Sequence, residues 1–176
     1  VAAALDAIGA RGPAASARPD SYFELHIEQG PILEAGGFAI GSVTGAQAQL
    51  WFDVSVIGQE AHAGTTPPAA RRDALVAAAR MVELVDRLMR ARGEDGRGTV
   101  GQLVVIPNSR NTIPGTVRFS VEFRHPLDAE IDRLAAQFPR EAAFVARDAN
   151  VALGVSEIFR LPAQAFDPAC LALVRE

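Results

Sequence analysis

A histidine and two glutamates alternate in Glu24-Leu25-His26-Ile27-Glu28. In an extended strand, alternate side chains share a face, so Glu24, His26 and Glu28 would point the same way. A neutral imidazole so placed can ligate a divalent cation while a nearby carboxylate orients it. On spacing alone, the commoner role for such a histidine is a hydrogen-bonded core residue. A metal centre needs three or four ligands, and no HxxEH, HxH or CxxC spacing occurs. His62 lies in Ala61-His62-Ala63-Gly64-Thr65-Thr66-Pro67, a stretch rich in Gly and Thr ahead of an apolar run. A histidine on such a loop can donate a hydrogen bond to a developing oxyanion. Alternatively it bonds a neighbouring backbone group, and Gly64 and the threonines merely cap a helix. Asn111, within Asn108-Ser109-Arg110-Asn111-Thr112-Ile113-Pro114-Gly115, can serve a turn or a ligand. Arg124 can clamp a carboxylate bidentately or pair with Glu122. His125 reads as structural, and Cys170, in an apolar helix, as inert. No Ser-His-Asp arrangement, glycine-rich phosphate loop or basic–aromatic patch stands out.

These groups need elements to position them. Residues 2–9 read as the end of a helix and 10–20 as a loop. Tyr22 to Ile27 alternates and is expected as a strand, stopped at Gly30-Pro31, with a helical turn over 32–35. Phe38 to Val43 and Gln47 to Ile57 are expected strands. A long helix is expected from Pro67 to Arg92, with proline tolerated in its first turn. Its wide apolar face, including Leu75, Ala78, Val82, Val85 and Met89, should lie on a sheet. Strands are expected over 101–106 and 116–124. In the latter, Val117, Phe119, Val121 and Phe123 face one side, which implies a sheet with one buried face. Asp128 should cap a second helix, which Pro139 should kink or divide. A strand over 151–159 and a short helix capped by Asp167 follow. The order β-β-α-β-β-α-β predicts an α+β fold: an antiparallel four-stranded sheet with two helices on one face.

The totals exclude several classes. Hydrophobic residues make up 49% and charged residues 22% of the 176, an ordinary globular balance. A net charge of −4 and a pI near 5.4 offer no attraction to nucleic acid or an anionic membrane. One cysteine permits no internal disulfide, and no apolar run is long enough to span a bilayer. The start, Val1-Ala2-Ala3-Ala4-Leu5-Asp6, has neither Met nor a basic n-region. It reads as the interior of a longer chain, with the cytoplasm as the expected compartment.

Taken together, three segments resemble the N-carbamoyl-L-amino acid hydrolase, β-ureidopropionase and allantoate amidohydrolase family. This family belongs to the two-metal aminoacylase and carboxypeptidase-like superfamily. Glu24-Leu25-His26-Ile27-Glu28-Gln29-Gly30-Pro31 resembles its metal-binding strand. Gly58 through Pro67, with Arg72-Asp73-Ala74, resembles the loop and helix start of its smaller domain. Pro107 through Asn111 and on to Arg124-His125 resembles its substrate-contacting strand pair.

The resemblance implies a division into residues 1–37, a piece of the catalytic domain; 38–160, a ferredoxin-like lid and dimerisation domain; and 161–176, a return into the catalytic domain. It implies His26 as a metal ligand, Gln29 as a substrate contact, and His62 as the stabiliser of the tetrahedral oxyanion. Asn111 and Arg124 would hold the substrate's polar and carboxylate groups. The cofactors would be two divalent ions (Zn, Mn or Co), and the partner a second copy joined through the lid. The implied substrate is a small carbamoyl or ureido compound. An N-carbamoyl-L-amino acid or ureidopropionate is favoured, with allantoate as the rival. The family's His-x-Asp pair, Glu-Glu segment and last histidine ligand would lie outside these residues. The chain alone is therefore expected to hold no metal tightly and to be inactive. The alternative is a non-catalytic dimerisation or ligand-binding module.

Overall fold

The computed structural model describes residues 2–12 and 19–176. Its elements run α1 (Ala2–Ala7), α2 (Ile32–Gly36), β1 (Gly45–Ala46), β2 (Ala48–Ile57), β3 (Ala61–His62), α3 (Ala74–Arg90), β4 (Arg97–Thr99), β5 (Leu103–Ile106), β6 (Thr112–Ile113), β7 (Thr116–His125), α4 (Asp128–Asp148), β8 (Ala152–Leu161), β9 (Gln164–Ala165) and α5 (Pro168–Arg175). The loop expected over 10–20 lies partly outside the described residues. Contacts divide the chain into two compact units: Val43–Phe166, and the flanking segments up to Ser42 and from Asp167. No described helix is long and apolar enough to cross a membrane.

The larger unit is an antiparallel sheet of order β4-β7-β2-β8, with β5 also paired to β7. β4 meets Glu122–Arg124 and β5 meets Thr116–Phe119, so the two form one interrupted edge. β4 was not expected from the sequence; its three residues, Arg-Gly-Thr, carry no alternation. On β2, Ala48, Leu50, Phe52, Val54 and Val56 are buried at every second position; Val117, Phe119, Val121 and Phe123 do the same on β7. α3 and α4 cover this face. Phe138 of α4 meets Phe52 at 5.5 Å and Phe123 at 5.6 Å between ring centroids.

Several local expectations are corrected. The helix expected from Pro67 begins only at Ala74. Pro68 presses Pro67 into an extended conformation, a single 3-10 turn follows, and Asp73 sets the start. Its Oδ1 accepts from the N–H groups of Leu75 (2.9 Å) and Val76 (3.1 Å). Losing such a cap costs about 1 kcal/mol, so Asp73→Ala is expected to lower unfolding stability by about that amount in a denaturant titration. An unchanged midpoint would show that α3 is held by packing alone. Asp128 does not cap α4. It is the first helical residue, and its Oδ1 accepts from Ala163 N at 2.8 Å. Pro139 does not divide the helix, which runs unbroken from Asp128 to Asp148. A helix-interior proline costs roughly 3 kcal/mol. Burial of Ile131, Leu134 and Phe138 against the sheet, at roughly 1.5–3 kcal/mol each, exceeds that.

The strands expected over Tyr22–Ile27 and Phe38–Val43 do not form. The alternation of Tyr22–Ile27 is real, but a strand exists only with a ladder partner, and neither segment has one among the described residues. Leu25 and Ile27 are 97% and 78% exposed.

Two carboxylates on this sandwich predict acid sensitivity. A hydrogen bond from Gln137, helped by Arg87, lowers Glu141; a hydrogen bond from Arg160 lowers Glu157. Groups with depressed native values stabilise the fold above their unfolded-state pKa of about 4.3 and lose that contribution as pH falls through the native value. Both are solvent-accessible, so the effect is small. The melting temperature should fall below about pH 4.3, and a Glu141→Gln/Glu157→Gln double variant should show a shallower fall. Equal slopes would refute the assignment.

Candidate functional site

The loop after β2 is fixed by the backbone before any functional side chain is considered. Gly58 N donates to Gly115 O and Gln59 N to Arg72 O, each at 2.8 Å. A Cβ on Gly58 would stand 1.9 Å from Arg72 O, so the approach requires glycine. β3 then pairs with β6, setting Ala61 opposite Ile113 and His62 opposite Thr112, and Ala63 N donates to Asn111 O at 2.8 Å. His62 and Asn111, some fifty residues apart in sequence, therefore become neighbours at one end of the sheet.

Their polar atoms are oriented. His62 Nδ1 accepts from Gly64 N at 3.1 Å. That ring nitrogen must be unprotonated, so in the neutral ring the proton sits on Nε2, which becomes a donor. Asn111 Oδ1 accepts from Ser109 Oγ at 3.0 Å and Thr112 Oγ1 at 3.4 Å. Its Nδ2 carries the remaining donors. The bland reading, in which His62 bonds a neighbouring backbone group, is thus met at Nδ1 without using Nε2. Arg71 holds the loop from outside: its Nε donates to Thr66 O at 3.0 Å and its Nη2 to Ala63 O at 2.8 Å. The sequence offered no signal for Arg71, because its acceptors are carbonyls that converge only once the loop is folded.

Arg124 is not part of this cluster. It stands near the far end of β7, opposite Gln49 on β2 and Arg97 on β4. At roughly 3.4 Å per residue it lies about 27 Å from Thr116 along the strand. Its Nε donates to Glu122, the strand neighbour that alternation offered. With Arg97, Gly98, Thr99 and Glu122 it lines a shallow hollow of about 240 Å³. Arg97 is paired with Arg124 in register, and its Nη1 donates to the carbonyls of Glu94 and Gly96.

His26 and Gln29 belong to the smaller unit. The expected same-face carboxylates do not orient His26. Glu28 turns to the start of α2, accepting from Ile32 N (3.0 Å) and Leu33 N (2.9 Å), and Glu24 receives Tyr22 OH at 3.3 Å. Instead, His26 Nδ1 donates to Ile27 O at 2.6 Å. That arrangement leaves Nε2 with a free lone pair, the usual state of a metal-ligating histidine whose other nitrogen bonds a carbonyl. Among the described residues no three His, Cys, Asp or Glu side chains gather into a metal-binding group. Gln29 is exposed. His125 is buried on the core side, its Nδ1 accepting from Leu127 N at 3.1 Å, and is structural as expected.

The family profile described as a peptidase dimerisation domain matches residues 44–148. The N-carbamoyl-L-amino-acid amidohydrolase of Rhizobium meliloti is 39% identical over 155 residues, covering 88% of this chain and 37% of that protein. The allantoate amidohydrolase of Escherichia coli is 30% identical over 135 residues, covering 77% of this chain and 33% of that one. A crystal structure of a hydantoinase/carbamoylase family amidase from Burkholderia ambifaria superposes with a TM-score of 0.89 and 45% identity. It covers 99% of this chain and 43% of the other. The chain thus spans roughly two fifths of the length of such relatives.

Proposed function

The chain belongs to the peptidase dimerisation domain family, in the branch of the carbamoylases and allantoate amidohydrolases, and from that premise we propose that it forms the substrate-binding lid of a metal-dependent amidohydrolase. The reaction is hydrolysis of the carbamoyl C–N bond of an N-carbamoyl-L-amino acid. Water adds to the carbamoyl carbon, the bond from that carbon to the amino acid's nitrogen breaks as the nitrogen takes a proton, and the carbamic acid released breaks its remaining C–N bond to give ammonia and carbon dioxide. The carbamoyl substrate is preferred to allantoate because identities to N-carbamoyl-L-amino-acid amidohydrolases, 39–42%, exceed the 30–36% to allantoate enzymes.

The observation that carries this reading is the pair of donors at one end of the sheet, His62 Nε2–H and Asn111 Nδ2–H. In the proposal, His62 donates to the oxygen that gains charge as water adds, and Asn111 holds the substrate's polar end. Two divalent ions, when bound, supply the activated water. His26 is the one described residue whose free Nε2 suits a ligand role, and Gln29 follows it as a substrate contact. The cationic hollow of Arg124 and Arg97 receives the substrate carboxylate.

Carbamoyl carbon and carboxylate carbon of a carbamoyl amino acid are three bonds apart, roughly 3.8 Å at most, whereas His62 follows the Ile57–Thr116 end of the β2–β7 pair and Arg124 stands near its other end. Both can touch one substrate only if they come from different copies. The proposal therefore includes a homodimer in which each site draws on two lids, as the dimerisation family supports.

The test is ammonia release by the whole protein, with Mn²⁺, Zn²⁺ or Co²⁺ added, from N-carbamoyl-L-amino acids, ureidopropionate and allantoate. Turnover of the first group is expected. Turnover of allantoate alone would move the protein to the rival branch, and turnover of none would sink the reading. The 176-residue chain by itself is expected to be inactive.

A further inference from the structure

We propose that Arg71 is a positioning residue that sets the tautomer of His62 through the peptide bond between Ala63 and Gly64. A trans peptide is planar, and its C=O and N–H point in opposite directions. Arg71 Nη2 donates to the carbonyl of Ala63 at 2.8 Å. The N–H on the other side of that same peptide, Gly64's, donates to His62 Nδ1 at 3.1 Å. Fixing the carbonyl therefore aims the N–H. The second arm of the guanidinium, Nε to Thr66 O at 3.0 Å, prevents the plane from rotating with the loop. Thr66 N donates back to His62 O at 3.1 Å and closes the turn. Charge on the guanidinium also polarises the peptide, which strengthens its N–H as a donor.

Gly64 completes the device. A Cβ there would stand 3.1 Å from His62 Cε1 and 3.4 Å from Nδ1, so the ring lies close over this residue and any side chain would displace it. The consequence is chemical. With Nδ1 committed as an acceptor, Nε2 carries the proton. The opposite tautomer would present a lone pair to a developing oxyanion and repel it. The inference rests on the proposed role of His62 for its catalytic meaning, but its structural content stands apart from that role.

The three histidines supply an internal comparison. His26 carries its proton on Nδ1, facing the carbonyl of Ile27, whereas His62 and His125 accept backbone N–H groups at Nδ1. Long-range ¹H–¹⁵N correlation spectra of the ¹⁵N-labelled chain, at a pH where the rings are neutral, read each tautomer directly. His62→Gln identifies the His62 signals by their loss.

In the unsubstituted chain His62 should show protonated Nε2 and unprotonated Nδ1. In Arg71→Met, which keeps the stem but removes the donors, both His62 nitrogens should shift toward the averaged values of a freely exchanging ring, while His125 does not move. Arg71→Lys, able to reach one carbonyl at a time, should fall between. If Arg71→Met does not fold, Arg71→Lys carries the test, with a smaller shift in the same direction expected at His62. Unmoved His62 signals in a folded variant, or an Nδ1–H tautomer in the unsubstituted chain, would overturn the proposal.

Turnover separates this inference from the functional reading. Arg71→Met in the whole enzyme should lower kcat and leave KM nearly unchanged. If His62→Ala leaves turnover intact while the ring signals respond to Arg71, only the functional reading fails. If His62 is required and its ring ignores Arg71, only the positioning role fails.

Discussion

His62→Ala in the whole enzyme is expected to lower kcat by about 100- to 1,000-fold, with KM changed little, as for removal of one preorganised oxyanion donor. The asymmetry follows from when the bond matters. A carbamoyl oxygen in the ground state is a weak acceptor, and water can serve it nearly as well as Nε2–H. As water adds to the carbon, that oxygen gains charge, and a donor already aimed at it needs no reorganisation. The proton must therefore be on Nε2, as the bond from Gly64 requires. Folding should be unaffected, since the His62 side chain belongs to a short strand outside the buried core. Steady-state ammonia release, with a thermal melt as control, makes the measurement. A kcat within about twofold of the unsubstituted enzyme would exclude the oxyanion role; a KM effect alone would make His62 a ground-state contact.

What could be read from the chain depended on whether the deciding partner was local. β7 was legible because its alternation of Val117, Phe119, Val121 and Phe123 with polar residues states which face is buried. The α+β sandwich followed from that strand and the wide apolar face of α3. The start of α3 was misplaced because Pro67 and Asp73 both resemble helix starts. Only the geometry shows that the carboxylate of Asp73, and not the proline ring, meets the free N–H groups. Alternation misled over Tyr22–Ile27, because a pattern of side chains carries no information about whether a second strand is at hand. At the site, residue types were legible and distances were not. Nothing in the spacing between Asn111 and Arg124 distinguishes two ends of one strand from two walls of one pocket. The registers of β6 with β3 and of β7 with β2 make that distinction.

That separation makes a second, larger prediction. If each site takes His62 and Asn111 from one copy and Arg124 from the other, enzymes carrying His62→Ala or Arg124→Ala alone should both be nearly inactive, yet mixed dimers should regain activity. In a dimer of one His62→Ala chain and one Arg124→Ala chain, both lesions fall in one site. The other site receives intact His62 from the second chain and intact Arg124 from the first. Random exchange makes about half the dimers mixed, each with one good site of two, so about a quarter of the unsubstituted activity should return. Arg124→Ala should act chiefly on KM, because a carboxylate clamp binds the ground and transition states alike. Its assay therefore belongs well below saturation. Co-expression with two affinity tags isolates the mixed dimer and raises the expected recovery to about half. Recovery no greater than the sum of the two parents would mean that no substrate bridges the two lids. Arg124 would then be left as what its bond to Glu122 already makes it, a surface arginine satisfied by its strand neighbour.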